Sequence, residues 1–455
     1  MTDDMSKMTR GEAAQREMSL TSVSPALAVV MTAVFLAIVY SVPVIQYADE
    51  LLQRARGLRS TRIPSCLEFG GTLKETARVY SEADGSLRAR MFAANRYLLP
   101  EIKRYERKLE EDAWLTRLLL PRTQLFMTRC LGTGNEKVYP GIHGWLFYRP
   151  DVDYVTGRGF LEPAQMKRRI ASRPEWEAVL QPDPVRAIVD FDRELKARGI
   201  RLIVMPVPVK PSIHPAELYG GVGKSGKSVQ NPSYGDFIER LHTANVFVFD
   251  CSEMLRERYI KTGEPQYLAY DTHWRPDAME FVAEQLAGFV RDNGLLPERE
   301  PILYRRDCVN VTTLGDIAAI LKLPEGQRLY PPESVTISRV LAPDVSLWTR
   351  RANSDVLVLG DSFCNIFSMQ SLGWGMSAGL AEQISFFLQR PVDRITMNDN
   401  GAFATRQELA RELSQNPAKL DGKKVVIWQF AARELAFGNW LRVPLAETSS
   451  HENRH

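Results

Sequence analysis

Three residue types that work together in acyl transfer are divided between two short clusters, Asp271-Thr272-His273-Trp274 and Gly360-Asp361-Ser362-Phe363. A serine hydroxyl becomes a useful nucleophile when an imidazole takes its proton, and a carboxylate fixes the tautomer of that imidazole. Asp271 and His273 are two residues apart, so in an extended segment both side chains project to one side. Of the six histidines, His451 and His455 lie in a polar tail, His143 in a Gly-Ile-His-Gly turn, His214 before Pro215, and His242 in a helix-like run. His273 is the best placed to act as a base.

The serine cluster follows Val356-Leu357-Val358-Leu359, a short apolar run of the kind a buried strand uses. Strand, sharp turn and helix would set Ser362 on the carboxyl edge of a sheet, where α/β proteins place ligands. It would also lie near a helix N-terminus, which favours developing negative charge. The plainer alternatives stay open here. Asp361 or Ser362 could cap the helix, and Asp271 could be a turn residue beside a satisfied histidine.

Both clusters together resemble the SGNH-like O-acetyltransferases of bacterial exopolysaccharide export, the alginate O-acetyltransferase family. Gly144-Trp145-Leu146-Phe147-Tyr148, the segment Arg201 to Lys210, and Ala432-Arg433-Glu434-Leu435 resemble that family too. The resemblance runs from about Tyr139 to Trp440. Ordinary SGNH esterases place the serine before the Asp/His pair, whereas here the pair comes first, as in the acetyltransferases. The resemblance implies an α/β, SGNH-hydrolase-like domain with a mostly parallel sheet between helices. It implies Ser362 as nucleophile, His273 as base and Asp271 as its orienting carboxylate. A surface polysaccharide is the implied acceptor, and a membrane-bound O-acyltransferase the implied source of acetyl groups. The same triad would serve a carbohydrate acetylesterase, and a non-catalytic polysaccharide-binding scaffold is the third reading.

The elements that must position these residues can be taken in order. At 455 residues there is chain for two or three domains. A net charge of +3 over this length gives no support for nucleic-acid binding. Residues 1–25 form a polar tail expected to be disordered. Residues 26–46 are apolar over the thickness of a bilayer core and follow a long leader, which favours a retained transmembrane anchor over a cleaved signal peptide. Lys7, Arg10 and Arg16 flank one side, and Arg54, Arg56, Arg59 and Arg62 the other, so the positive-inside rule leans against export of the body. The resemblance implies the opposite: a single-pass inner-membrane protein with a periplasmic catalytic domain. Residues 47–135 read as a helical stalk, 136–445 as the catalytic body, and 446–455 as a second disordered tail.

Within the body, helices are expected over 184–198 and 276–290, and strands over 202–209, 246–249, 394–397 and 425–428. The segment 215–233 is rich in Gly, Ser, Lys and Pro and reads as a loop or lid over the cleft. The segment 324–351 also reads as loop. Lys210 ends a strand and could reach an anionic substrate, or simply be solvated. Trp374 could offer a sugar-binding face, or be a core residue. An oxyanion needs at least two donors; Ser362 N–H is one, and Asn398, Asn400 or Gly401 could give the second, unless Asn398 to Gly401 is only a turn. Cys66, Cys130, Cys251, Cys308 and Cys364 show no metal-ligand spacing, and neither a metal nor a cofactor is expected. One or two disulfides are open in an oxidising compartment, and Cys364 reads as a packing residue.

Overall fold

The computed structural model describes residues 24–57, 68–172, 179–220, 226, 228–398 and 401–445. The two expected disordered tails fall almost wholly outside these residues, as do Cys66, Asn400 and part of the expected lid. The chain divides into two compact units, Met1–Leu120 and Pro121–His455.

In the first unit, Pro25–Ala55 is one helix. Ser24 caps it by accepting the Leu27 N–H at 3.3 Å, and Pro25 occupies the first turn, where no amide partner is lost. It is long and apolar enough to cross a membrane by length and composition. Two further helices, Phe69–Glu82 and Leu87–Asp112, pack with Phe69 against Tyr105 at 5.1 Å. Another helix spans Trp114–Leu131. The stalk expected as helix is helical throughout most of its described length.

The second unit is built on a five-stranded parallel sheet whose strands lie side by side in the order Phe247–Val248, Arg201–Val207, Val425–Ala431, Val356–Gly360 and Asp393–Thr396. Its strands are β3 (Arg201–Val207), β4 (Phe247–Val248), β7 (Val356–Gly360), β8 (Asp393–Thr396) and β9 (Val425–Ala431). Alternate side chains go to opposite faces. Ile203, Met205, Val356, Val358, Val425 and Ile427 join one core with helices Pro276–Asp292 and Leu380–Leu388. Leu202, Val204, Leu357, Leu359, Val426 and Trp428 join the other with Pro184–Lys196, Tyr234–Thr243 and Ala404–Gln415. Burial on both faces explains why β7 is apolar throughout and β9 is apolar except at Gln429, whose amide serves Asp361.

Two antiparallel pairs flank this sheet: β1 (Val138–Pro140) with β2 (Leu146–Tyr148), and β5 (Arg305–Thr313) with β6 (Glu333–Leu341). The second pair corrects the reading of 324–351 as loop. In β6 the inward Val335 and Ile337 alternate with Ser334 and Thr336, and the alternation then slips a residue so that Val340 turns inward. That slip breaks the period by which a strand is recognised.

Candidate active site

β7 ends in a turn whose geometry depends on Asp361. Its Oδ1 accepts the Phe363 N–H at 2.9 Å, capping the short helix Ser362–Asn365. It also accepts Gln429 Nε2 at 2.8 Å, and Oδ2 accepts the Ala431 N–H at 2.7 Å. Gln429 Oε1 in turn accepts the Asp361 N–H at 3.1 Å. The turn is thereby tied to the neighbouring strand β9. Gly360 is required because a Cβ there would lie 2.5 Å from Cys364 Cβ. Asp361 does the capping, which leaves the Ser362 hydroxyl free to work elsewhere.

The Ser362 hydroxyl meets His273: Oγ and Nε2 are 2.8 Å apart. His273 Nδ1 lies 2.6 Å from Asp271 Oδ1. Asp271 and His273 are buried and Ser362 is half-exposed, so the contacts run from the interior to the surface at Ser362. The loop carrying the pair closes on itself through Leu268 N–H to His273 O at 3.1 Å and the Tyr267–Trp274 bridge. Trp274 Nε1 then donates to Phe363 O at 3.1 Å, and the His273 ring lies 4.7 Å from the Phe363 ring. The residue after each chemical group thus ties the two segments together across 89 positions of sequence.

Asp271 accepts four hydrogen bonds. Oδ1 takes the His273 backbone N–H (3.0 Å) and Nδ1–H, and Oδ2 takes the Asp316 N–H (3.0 Å) and Trp374 Nε1–H (2.9 Å). Burial pushes this carboxyl up, but the His273 charge and these donors outweigh it and hold it well below the usual carboxylate range. For His273, burial lowers the pKa, yet Asp271 prevails and raises it above the ordinary imidazole value. The arrangement can therefore take a proton from Ser362 and hold it as imidazolium against a buried carboxylate.

Trp374 is corrected by this geometry. It is 1 % exposed, so it presents no face to a sugar, and its indole N–H orients Asp271. Trp374→Phe is expected to lower turnover of an acetyl ester about 10- to 100-fold, the value of one hydrogen bond to a charged group. Steady-state kinetics on a variant with unchanged circular dichroism would check it.

Lys210 is corrected as well, being neither solvated nor aimed at substrate. It is fully buried, and its Nζ donates to Leu146 O at 2.7 Å and Ala269 O at 3.3 Å, bracing the loop that leads into Asp271. Burial lowers its pKa to about 8, against the pull of Asp271 and Asp316. Asn398 lies beside the helix Ser362–Asn365. Its Oδ1 accepts Asn365 Nδ2 at 3.0 Å, and among the described residues its own Nδ2 faces only the Met369 sulfur at 3.6 Å. Gly401 has φ +75°, and a Cβ there would lie 2.7 Å from Glu434 Oε2, so the turn itself requires it. Cys364 is buried and its thiol is pushed up to about 12, as suits a packing residue. Cys130, Cys251, Cys308 and Cys364 are free thiols.

The sequence reading missed Asp316 and Arg433. Asp316 Oδ1 accepts the Thr272 N–H at 2.7 Å, and Oδ2 lies 3.8 Å from His273 Nδ1. Burial and the neighbouring Asp271 raise its pKa to about 6. Asp271, His273 and Asp316 are close enough to one another to consider a cation, but the Asp271 oxygens and His273 Nδ1 are already committed to hydrogen bonds. Gly315 lets Asp316 approach: a Cβ there would lie 2.3 Å from the Tyr270 carbonyl oxygen. Gly315→Ala is expected to destabilise the protein by about 1–3 kcal/mol through this clash, measurable by urea unfolding.

Arg433 pairs with the buried Asp151 at 3.0 Å and lies between the rings of Tyr148 (5.5 Å) and Phe363 (5.8 Å). It thus places a fixed positive charge next to the serine turn. The only sequence signal for it was the Ala432-Arg433-Glu434-Leu435 segment, which carried no role there.

Residues 138–432 match the family described as SGNH hydrolase-like domain, acetyltransferase AlgX. The chain is 28 % identical over 261 residues to a protein of Pseudomonas fluorescens named probable alginate O-acetylase AlgJ, covering 56 % of this chain and 62 % of that protein. It is 30 % identical over 146 residues to the Pseudomonas aeruginosa protein of the same name, covering 31 % and 36 %. The chain thus spans less than two thirds of the length of these relatives. Among solved structures, it is similar to the O-acetyltransferase domain of Pseudomonas putida AlgJ, with 20 % identity and TM-score 0.49 over 66 % of this chain and 93 % of that one. It is also similar to Pseudomonas aeruginosa AlgX, with 17 % identity and TM-score 0.44 over 66 % and 65 %. The family match covers more than half of the chain, from the first strand of the body to the end of β9, and the chain belongs to the AlgX family of SGNH hydrolase-like acetyltransferase domains.

Proposed function

We propose that this protein is an O-acetyltransferase that carries an acetyl group on Ser362 and passes it to hydroxyls of an exported polysaccharide. The observation that carries this reading is the unbroken Ser362–His273–Asp271 hydrogen-bond chain at the carboxyl edge of the sheet. Ser362 Oγ attacks the acetyl carbonyl as His273 Nε2 takes its proton, and the imidazolium protonates the departing group. An acceptor hydroxyl then gives its proton to His273 and attacks the acetyl-serine, so that Ser362 leaves with the proton returned. The Ser362 N–H heads its helix, and Asn398, tied to that helix through Asn365, has among the described residues only a weak sulfur partner for its Nδ2. Together they are the two donors proposed for the oxyanion.

The names of the AlgJ relatives support a polysaccharide acceptor of the alginate type. The domain boundaries at 46, 135 and 445 belong to the same proposal, with the helix Pro25–Ala55 as a single-pass anchor and the body in the periplasm. The anchor would hold Ser362 near a membrane-bound O-acyltransferase, the partner proposed as acetyl source. The test incubates the purified protein with an activated acetyl ester and an oligouronate and follows both by mass spectrometry. Acetylated oligouronate is expected. Acetate release without sugar acetylation would replace the transferase with an esterase, and complete inertness would favour a scaffold.

A further inference from the structure

The opposite end of β7 carries a groove that the proposed chemistry leaves unused. A cavity of about 520 Å³ is lined by Arg299, Tyr304, Pro343, Arg351, Asn353 and Pro391. A second, of about 550 Å³, adjoins it and shares Arg299. Both lie in the size range of ligand sites, and they meet at Arg299, so together they could take more than one sugar unit of a chain. From Ser354 at its rim to Ser362 is eight residues of largely extended chain, about 25 Å.

The charges of this groove are distinctive. Neighbouring arginines are spoken for: Arg390 pairs with Asp355 at 2.7 Å, Arg394 with Glu382 at 2.6 Å, and Arg350 approaches Asp393 at 3.7 Å. Arg299 and Arg351 line the cavity with exposed guanidiniums and have no carboxylate partner among the described residues. Both act on the half-buried Tyr304 phenol, which burial raises and the two arginines lower. The nearby acids make no ion pair with them among the described residues, although Asp344 feels the Arg351 charge weakly and Glu298 and Glu300 flank Arg299 in sequence. Asp344 is held by Ser346 at 2.6 Å, and Glu298 lies in the second cavity. Two guanidiniums without carboxylate partners beside a tyrosine and two prolines match a chain of sugar rings bearing carboxylates, since Arg binds carboxylate in a bidentate fork while the C–H faces of the rings can pack on the tyrosine and prolines.

We propose that this groove is a second, non-catalytic site that grips a uronate-bearing sugar chain at the far edge of the sheet from Ser362. Its polymer class rests on the function proposed above, but binding there needs no chemistry. Full-length Ser362→Ala protein in detergent would be titrated calorimetrically with an oligouronate, a neutral oligosaccharide of equal length, and inorganic phosphate. The Arg299→Glu/Arg351→Glu double variant is expected to weaken oligouronate binding at least tenfold, and added salt to weaken binding to the parent. In the Ser362 background the double variant should raise KM for polymer acetylation while leaving small-ester turnover unchanged.

Undiminished oligouronate binding by the double variant would overturn the proposal, and so would equal affinity for the neutral sugar. Phosphate binding as tight as oligouronate binding would make this a simple anion site and also overturn it. Should charge reversal unfold the protein, Arg299→Gln and Arg351→Gln carry the same comparison, since these exposed side chains anchor nothing. Catalytic inertness with intact, arginine-dependent binding would sink the transferase reading alone.

Discussion

Ser362→Ala is expected to remove the acetyl adduct from the protein and to lower ester turnover by about 10⁵- to 10⁶-fold, the scale lost when a triad nucleophile is deleted. The loss should fall on kcat, because the hydroxyl contributes to the reaction and not to substrate binding. Stability should change little. The Ser362 side chain is half-exposed, Asp361 caps the helix, and the turn is held by Gln429 and Ala431 rather than by the hydroxyl. Intact mass after exposure to an activated acetyl ester, with thermal melting beside it, reads both expectations. An acetyl adduct persisting on the variant would show that the acceptor is another residue, and the triad assignment would fall.

The serine turn and the Asp/His pair were legible because their chemistry is local in sequence. Each is a few consecutive residues whose spacing carries the meaning, and the apolar runs Val356–Leu359 and Val425–Trp428 announce a sheet covered on both faces. What holds the site together was less legible, because it is made of single residues distant in the chain. Trp374 reaches Asp271 across 103 positions and Gln429 reaches Asp361 across 68. A lone tryptophan in a glycine-rich stretch looks the same whether it faces a sugar or a buried carboxylate. Lys210 misled for a related reason: a lysine after a strand is normally solvated, and only the fold places two carbonyl oxygens around it. The β5–β6 pair was hidden by its mixed, phase-slipped pattern. Asp316 starts a short helix, and nothing in its local sequence shows that its carboxylate also accepts the Thr272 N–H of the Asp/His loop.

Asp271→Asn is expected to lower turnover about 10⁴-fold, as in other triads where the carboxylate is replaced by an amide. The amide cannot favour the tautomer that leaves Nε2 free to accept the Ser362 proton, and it cannot stabilise the imidazolium. The pH profile should separate these effects from simple misfolding. In the unaltered protein His273 must be neutral to act, and its pKa is raised by Asp271 despite burial. Ester turnover should therefore climb with pH through an inflection above the ordinary imidazole value of about 6.5. Stability runs the other way. A raised folded-state pKa contributes stability that is complete below about 6.5 and lost as pH rises through the folded value. Melting temperature should thus lose the His273 contribution over the same interval in which activity appears. In Asp271→Asn burial is no longer opposed by that charge, although Asp316 at 3.8 Å still contributes. The residual activity should then titrate at lower pH, and the His273-linked fall in melting temperature should vanish. Turnover and melting curves from pH 5 to 9 on both proteins provide the check. An inflection unmoved by the substitution would mean that a group other than His273 governs the proton transfer.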